Sequence, residues 1–192
     1  MKRTAVLMAV AMIAIFAVKA VAADQPIKFG YVDFQKALND VEEGKKAKAM
    51  LKSEFDEKQK KLDQIQNELQ AMKTDLDKQR LILSADALKA KQEDFTKKYM
   101  DLQQKVAAYK EEIAGKEMKL TGDILLVVRQ IVRDIGEKES YTMVLEKSQD
   151  VVVYSPSSGD LTDRVIKEYN GMPKDKKASI IKSAMASMPK MK

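Results

Sequence analysis

Two heptad series in the middle of this chain share a single register, and that register constrains the fold more than any other feature. Leu51, Phe55, Lys58, Leu62, Ile65, Leu69, Met72 and Leu76 recur at alternating spacings of four and three, a coiled-coil seam broken only at Lys58. Leu88, Gln92, Phe95, Tyr99, Leu102, Val106, Tyr109, Ile113, Lys116 and Leu120 repeat the alternation. If the chain reverses near residues 84–87, Leu76 faces Phe95, Met72 faces Tyr99, Leu69 faces Leu102, Ile65 faces Val106 and Leu62 faces Tyr109. The same shared sum of 171 continues through Lys58 with Ile113, Phe55 with Lys116 and Leu51 with Leu120. One register serving all these layers is what an antiparallel helical hairpin needs, although periodicity alone leaves pairing between chains open. The intervening residues are mostly Lys, Glu, Asp and Gln, which suit solvated helix faces. A first helix over residues 42–82 is about 60 Å long at 1.5 Å per residue, so the hairpin is a projecting arm that buries one stripe and leaves most of its surface wet.

The turn carries its own signal. Ser84 caps the returning helix, Asp86 complements the helix dipole in the first turn, and Leu83 and Leu88 close the end approximately as a hydrophobic staple does. Gly115 and Gly122 lie inside the returning helix, where Gly is about 1 kcal/mol less favourable than Ala. With a Lys facing Phe55 in the same region, the arm is expected to bend near its base.

The flanking residues predict a small β-containing base assembled from both ends. Residues 27–34 give an early strand signal, followed by helix formers at Gln35, Lys36, Ala37 and Leu38. Residues 141–145 and 151–154 are rich in β-branched and aromatic side chains and read as a hairpin joined by 146–150. Ser155-Pro156-Ser157-Ser158-Gly159 breaks the strand, and Asp160 with Asp163 introduces a helix carrying Leu161, Val165 and Ile166. The fold class is α+β, with residues 24–41 and 139–170 as a discontinuous body, 42–138 as the arm and 171–192 as a short amphipathic helix or flexible tether. Such a base leaves sheet edges and an apolar face poorly covered. That deficit predicts an oligomer whose arms project from one side.

Residues 1–23 stand apart. Lys2 and Arg3 precede an apolar run at residues 5–18, and Ala20-Val21-Ala22-Ala23 ends before Asp24, the pattern of a cleaved secretory signal with cleavage after Ala22 or Ala23. The apolar run is shorter than the roughly 20 residues of a spanning helix. Removing Lys2, Arg3 and Lys19 with the signal lowers the formal net charge of +6, so the basic balance is partly a property of the leader. The chain has no Cys, no His and no Trp. That composition removes disulfides, thiol nucleophiles, Cys/His metal sites and histidine acid–base chemistry. No basic run is interleaved with aromatic residues, so no specific nucleic-acid partner is expected, and Gly30 and Gly44 lack the spacing of a phosphate loop. Asp33 is a cap or base contact, Tyr99 and Tyr109 belong to the seam, and Glu111-Glu112 and Lys45-Lys46 are solvated arm residues. No catalytic, cofactor-binding or metal-ligating residue is assigned, no cofactor is expected, and the chain is not expected to be an enzyme.

The order of elements resembles the Skp or OmpH-like periplasmic chaperone family. The likeness lies in Ile27-Lys28-Phe29-Gly30-Tyr31-Val32-Asp33-Phe34-Gln35-Lys36-Ala37-Leu38, in the charged hairpin turning at Leu83-Ser84-Ala85-Asp86-Ala87-Leu88, in Val151-Val152-Val153-Tyr154, and in Gly159-Asp160-Leu161-Thr162-Asp163-Arg164-Val165-Ile166. No piece is decisive alone, but their order around an exported arm is specific. The resemblance implies a homotrimer with a β-barrel body, located in the periplasm and soluble once the signal is cleaved. Its three arms would enclose unfolded outer-membrane proteins without nucleotide hydrolysis, and membrane contact would be peripheral at most. The mechanism that fits is holding by topology and weak distributed contact, with Met50, Met100 and Met118 either on the cavity wall or packed within the arm. The alternative is an exported coiled-coil spacer or adaptor of the cell envelope that binds one folded partner at its tip or tail.

Overall fold

The computed structural model describes residues 27–147 and 152–187. Both 1–23 and the connection at 148–151 lie outside the described residues. In chain order the elements are β1 (Phe29–Val32), α1 (Phe34–Asp40), α2 (Glu42–Gln79), α3 (Ala85–Lys138), β2 (Met143–Glu146), a short 3-10 turn at Ser157–Gly159, α4 (Thr162–Gly171) and α5 (Lys174–Ser187).

α2 and α3 form the antiparallel arm. With 38 residues, α2 is about 57 Å long. Ser84 adopts an extended conformation and its side chain accepts a hydrogen bond from Ala87 N at 3.3 Å, which starts α3 where the sequence places the turn. Leu62, Leu69 and Leu102 are buried between the helices, supported by Ile65, Phe95 and Tyr109. These are layers of the shared register, so the hairpin closes within one chain.

The body forms around the last third of α3. Ile124, Val127, Val128, Ile131 and Ile135 recur at helical spacing, and this stripe packs on Val32, Ala37, Val41, Leu161, Val165 and Tyr169. Burying one such aliphatic side chain contributes about 1.5–3 kcal/mol, so this stripe anchors α3 far more firmly than the thin seam of the arm. The arm's second helix is therefore continuous with the principal core helix of the body. Its end is closed by Ser140, whose φ of 54° is left-handed, while Tyr141 N donates to Gly136 O at 2.9 Å.

The strands differ from the sequence expectation. β2 pairs in parallel with β1, with Phe29 opposite Met143 and Val32 opposite Glu146, rather than in a hairpin with residues 151–154. A parallel pair needs a crossover, and here the crossover contains the entire arm. Residues 152–154 carry no strand, and Val153 and Tyr154 are exposed. Their β-rich composition reports side-chain type but not a partner; β1 instead makes its second contact through a Tyr31–Asp160 bridge. At the C-terminus α5 is a helix with Ile180 and Ile181 packed on the core.

A Cβ added at Gly115 or Gly122 would meet nothing within 4 Å. Gly115→Ala and Gly122→Ala should therefore each raise stability by about 1 kcal/mol through helix propensity alone, as measured by urea unfolding followed by circular dichroism.

Candidate functional site: the arm and its root

The arm's buried seam is narrow, and a group of linked ion pairs lies where the heptad pattern breaks. Lys58 points into the seam, with a side chain 15% exposed. It donates to Glu112 of the opposite helix at 2.7 Å and lies 4.2 Å from the centre of the Tyr109 ring. Lys116 pairs across the seam with Glu54, and each lysine also pairs with the glutamate on its own helix. Glu54, Lys58, Glu112 and Lys116 thus form a closed ring of alternating charge. Hydrogen bonds from Lys58 and then Lys116 hold the Glu112 carboxyl at about 2, and the bond to Glu112 in turn raises Lys58. Glu112 is exposed, as expected of a solvated arm residue, and is in addition an interhelical partner. The usable signal was Lys58 itself, because a lysine in a seam requires a carboxylate within reach.

The ring has a pH consequence. Because the folded Glu112 carboxyl titrates below its ordinary 4.5, the stabilisation is complete above that value and is lost as pH falls toward about 2. Thermal melts followed by circular dichroism should hold level from neutral pH to about pH 5 and then decline as pH falls toward about 2, with a shallower acid limb in Glu112→Gln.

Farther out, Lys91 pairs with Asp75 at 2.5 Å and Lys98 with Glu68 across the helices, while Lys52–Asp56 and Lys105–Asp101 pair along one helix. Phe95 and Tyr99 are stacked at 6.5 Å. Between the charges sit exposed apolar groups: Met50, Phe55, Tyr99, Met100 and Met118. The three methionines are thus on the arm surface rather than inside its packing. Met100 lies in a shallow depression of about 630 Å³ with Lys89, Gln92, Thr96 and Gln104. At the root, a groove of about 470 Å³ is lined by Leu38, Leu51, Phe55, Ile113 and Ile124. A second, of about 400 Å³, is lined by Ala47, Met50, Leu120, Ala178 and Ile181. These open, mixed surfaces offer many small apolar contacts dispersed among balanced charge.

Asp33 is where a cap belongs: its carboxylate accepts from Lys36 N at 2.7 Å and starts α1. Lys28, Glu139 and Arg164 form a surface cluster in the body, with Arg164 and then Lys28 holding the Glu139 carboxyl below the usual range. Among the described residues no group of three or more acidic, His or Cys side chains is placed to hold a metal ion. No described helix is long and apolar enough to cross a membrane.

A small α+β body whose strand crossover is a long two-helix arm defines the structural class. The chain belongs to the family of OmpH-like outer membrane proteins, whose family model matches residues 28–169. The fold is similar to the crystal structure of a proposed outer membrane chaperone (OmpH-like) from Caulobacter crescentus CB15. The two share 16% sequence identity and superimpose with a TM-score of 0.68 over 80% of this chain and 89% of the other. Comparison with curated protein sequences finds no match.

Proposed function

We propose that this protein is an ATP-independent periplasmic holdase, exported by residues 1–23, that encloses unfolded outer-membrane proteins and keeps them from aggregating on their way to the outer membrane. The observation that carries the reading is the arm: about 57 Å of paired helix, with exposed Met and aromatic side chains scattered among paired charges. Such a surface suits many weak, exchangeable contacts with a chain of changing shape, because no contiguous aromatic patch concentrates the binding energy. An outer-membrane precursor has an apolar face that lipid does not yet cover, so walls that exclude other chains supply the protection. Membership of the OmpH-like family supports a chaperone role. No catalytic chemistry is required by this reading. Mixing the mature protein with a denatured outer-membrane protein on dilution from urea should suppress light scattering without nucleotide. Scattering equal to that of the client alone would reject the holdase.

Enclosure needs more than one arm, and the body supports assembly through copies of itself. Its two-stranded sheet leaves Ile27, Phe29, Met143 and Leu145 substantially exposed, and a sheet this small is marginal alone. Assembly into a homotrimer would cover these groups and place three arms around one space. Mass measured over a dilution series should show an oligomer that persists when residues 48–123 are replaced by a short flexible loop. That deletion joins Ala47 to Ile124, which lie on the shared sum of 171. A folded monomer at every concentration would remove the shared cavity, and loss of assembly in the deletion alone would move the interface into the arms.

A further inference from the structure

The C-terminal helix α5 lies beyond the family match, which ends at residue 169, yet it is fastened to both halves of the molecule. Ile180 and Ile181 pack on the body core. Lys177 is buried, lies 4.2 Å from the centre of the Tyr169 ring of α4, and donates to Glu43 at 2.6 Å. Glu43 is in the first turn of α2, where the arm begins. One side chain of α5 therefore ties the body to the arm's first helix.

We propose that α5 is a strap that fixes the angle between arm and body, with Lys177 as its fastening point. The arm has two roots of unequal stiffness. α3 runs unbroken into the core but carries Gly122, beside which a Cβ would meet nothing. α2 is separated from α1 by the extended residue Val41 and is held nearby by Glu42 N donating to Asn170 at 2.9 Å. Between these roots and α5 lies the groove of about 400 Å³, with Met50 and Leu120 on the arm side and Ala178 and Ile181 on the strap side. Bending at Gly122 toward α5 would close this space until the helices met, whereas a swing away, in which α2 moves as one helix pivoting at the extended Val41, draws Glu43 from Lys177 and pulls on their bond. The strap limits the swing in both directions. The tip lies about 57 Å beyond Gly122 along the helix, so a swing of about 10° moves it by about 10 Å.

The chain contains no cysteine, so spin labels report only where they are introduced. One pair, Arg80→Cys at the tip and Lys167→Cys on α4, measures arm against body. A second pair, Gln130→Cys and Ser183→Cys, which line one groove between α3 and α5, reports whether α5 stays docked. Labelled protein is diluted into unlabelled protein of the same sequence so that distances arise within one chain, and no client is present, which makes the outcome independent of the holdase reading. Lys177→Met with Glu43→Gln removes both charges and keeps the apolar stems; truncation after Met172 removes the helix. The tip-to-body distribution should broaden by about 10 Å in both variants. It should broaden in the double variant whether or not the second pair shows α5 still docked, since either result frees the arm. An unchanged tip-to-body distribution in the truncated chain, with helical content otherwise retained, overturns the strap. An unchanged distribution in the double variant alone overturns Lys177 as its fastening point.

Discussion

Deleting residues 66–72 together with 99–105 should leave a folded, assembled protein that has lost most of its protection of large clients. The paired deletion removes one heptad from each helix and preserves the shared sum of 171 for every remaining layer. Each helix becomes shorter by about 10 Å. Leu69 and Leu102 leave together, so no buried leucine is left facing a gap, while Leu62 keeps Tyr109. The Lys105–Asp101 pair leaves whole and Phe95 loses its stack with Tyr99. One surface pair loses a single partner: Glu68 is lost from opposite Lys98 and Lys61 takes its heptad position, a repulsion of about 0.5 kcal/mol or less at an exposed site. Circular dichroism and mass should therefore show retained helices and oligomer. In aggregation assays the loss should grow with client size, whereas Met100→Ala should have a small effect because an unfolded chain shifts to another contact. Full protection of large clients by the shortened protein would contradict enclosure, and protection abolished by Met100→Ala in the full-length protein would point to a localised adaptor site.

The second large effect is expected at Gly44. α1 and α2 meet at a sharp bend, and a Cβ on Gly44 would lie 1.8 Å from the Leu38 carbonyl oxygen and 3.2 Å from a Val41 methyl group. Neither the backbone oxygen nor the buried Val41 can move without opening the junction of arm and body. Gly44→Ala should therefore destabilise by about 3 kcal/mol, overriding the propensity gain of about 1 kcal/mol that Ala brings to a helix. Urea unfolding of Gly44→Ala beside Gly115→Ala checks this directly: opposite signs are expected, and equal gains would mean that the bend is not tightly packed.

The arm was legible because its contacts obey a local rule. Heptad spacing sets which residues face inward, and antiparallel closure sets which pairs meet, so Leu62, Leu69 and Leu102 could be named as layers without a structure. Its charged ring was not, because Glu112 gains its role from a lysine 54 positions away. The body was harder for the same reason. The β1 partner lies across the whole arm, and β propensity at residues 151–154 carries no information about that pairing. The stripe from Ile124 to Ile135 lies on the same continuous helix as the arm; Gly122 and the apolar run at residues 124–128 mark where solvent-facing arm gives way to core, but not which elements cover it. Lys177 looks like a solvated residue in a tail of Lys and Ser; only the packing of Tyr169 and Glu43 around it buries it. Asp33 and Ser84 were visible because caps depend on neighbours three residues away.

The central claim is that several arms of one assembly surround a single unfolded chain, and native mass spectrometry of the mature protein mixed with a denatured outer-membrane protein tests it most directly. The account predicts an oligomer carrying one client, with bound client appearing as aggregation falls and no nucleotide present. Binding of the client to isolated protomers in open-ended ratios, or an assembly that binds only a folded partner at fixed stoichiometry, would contradict it.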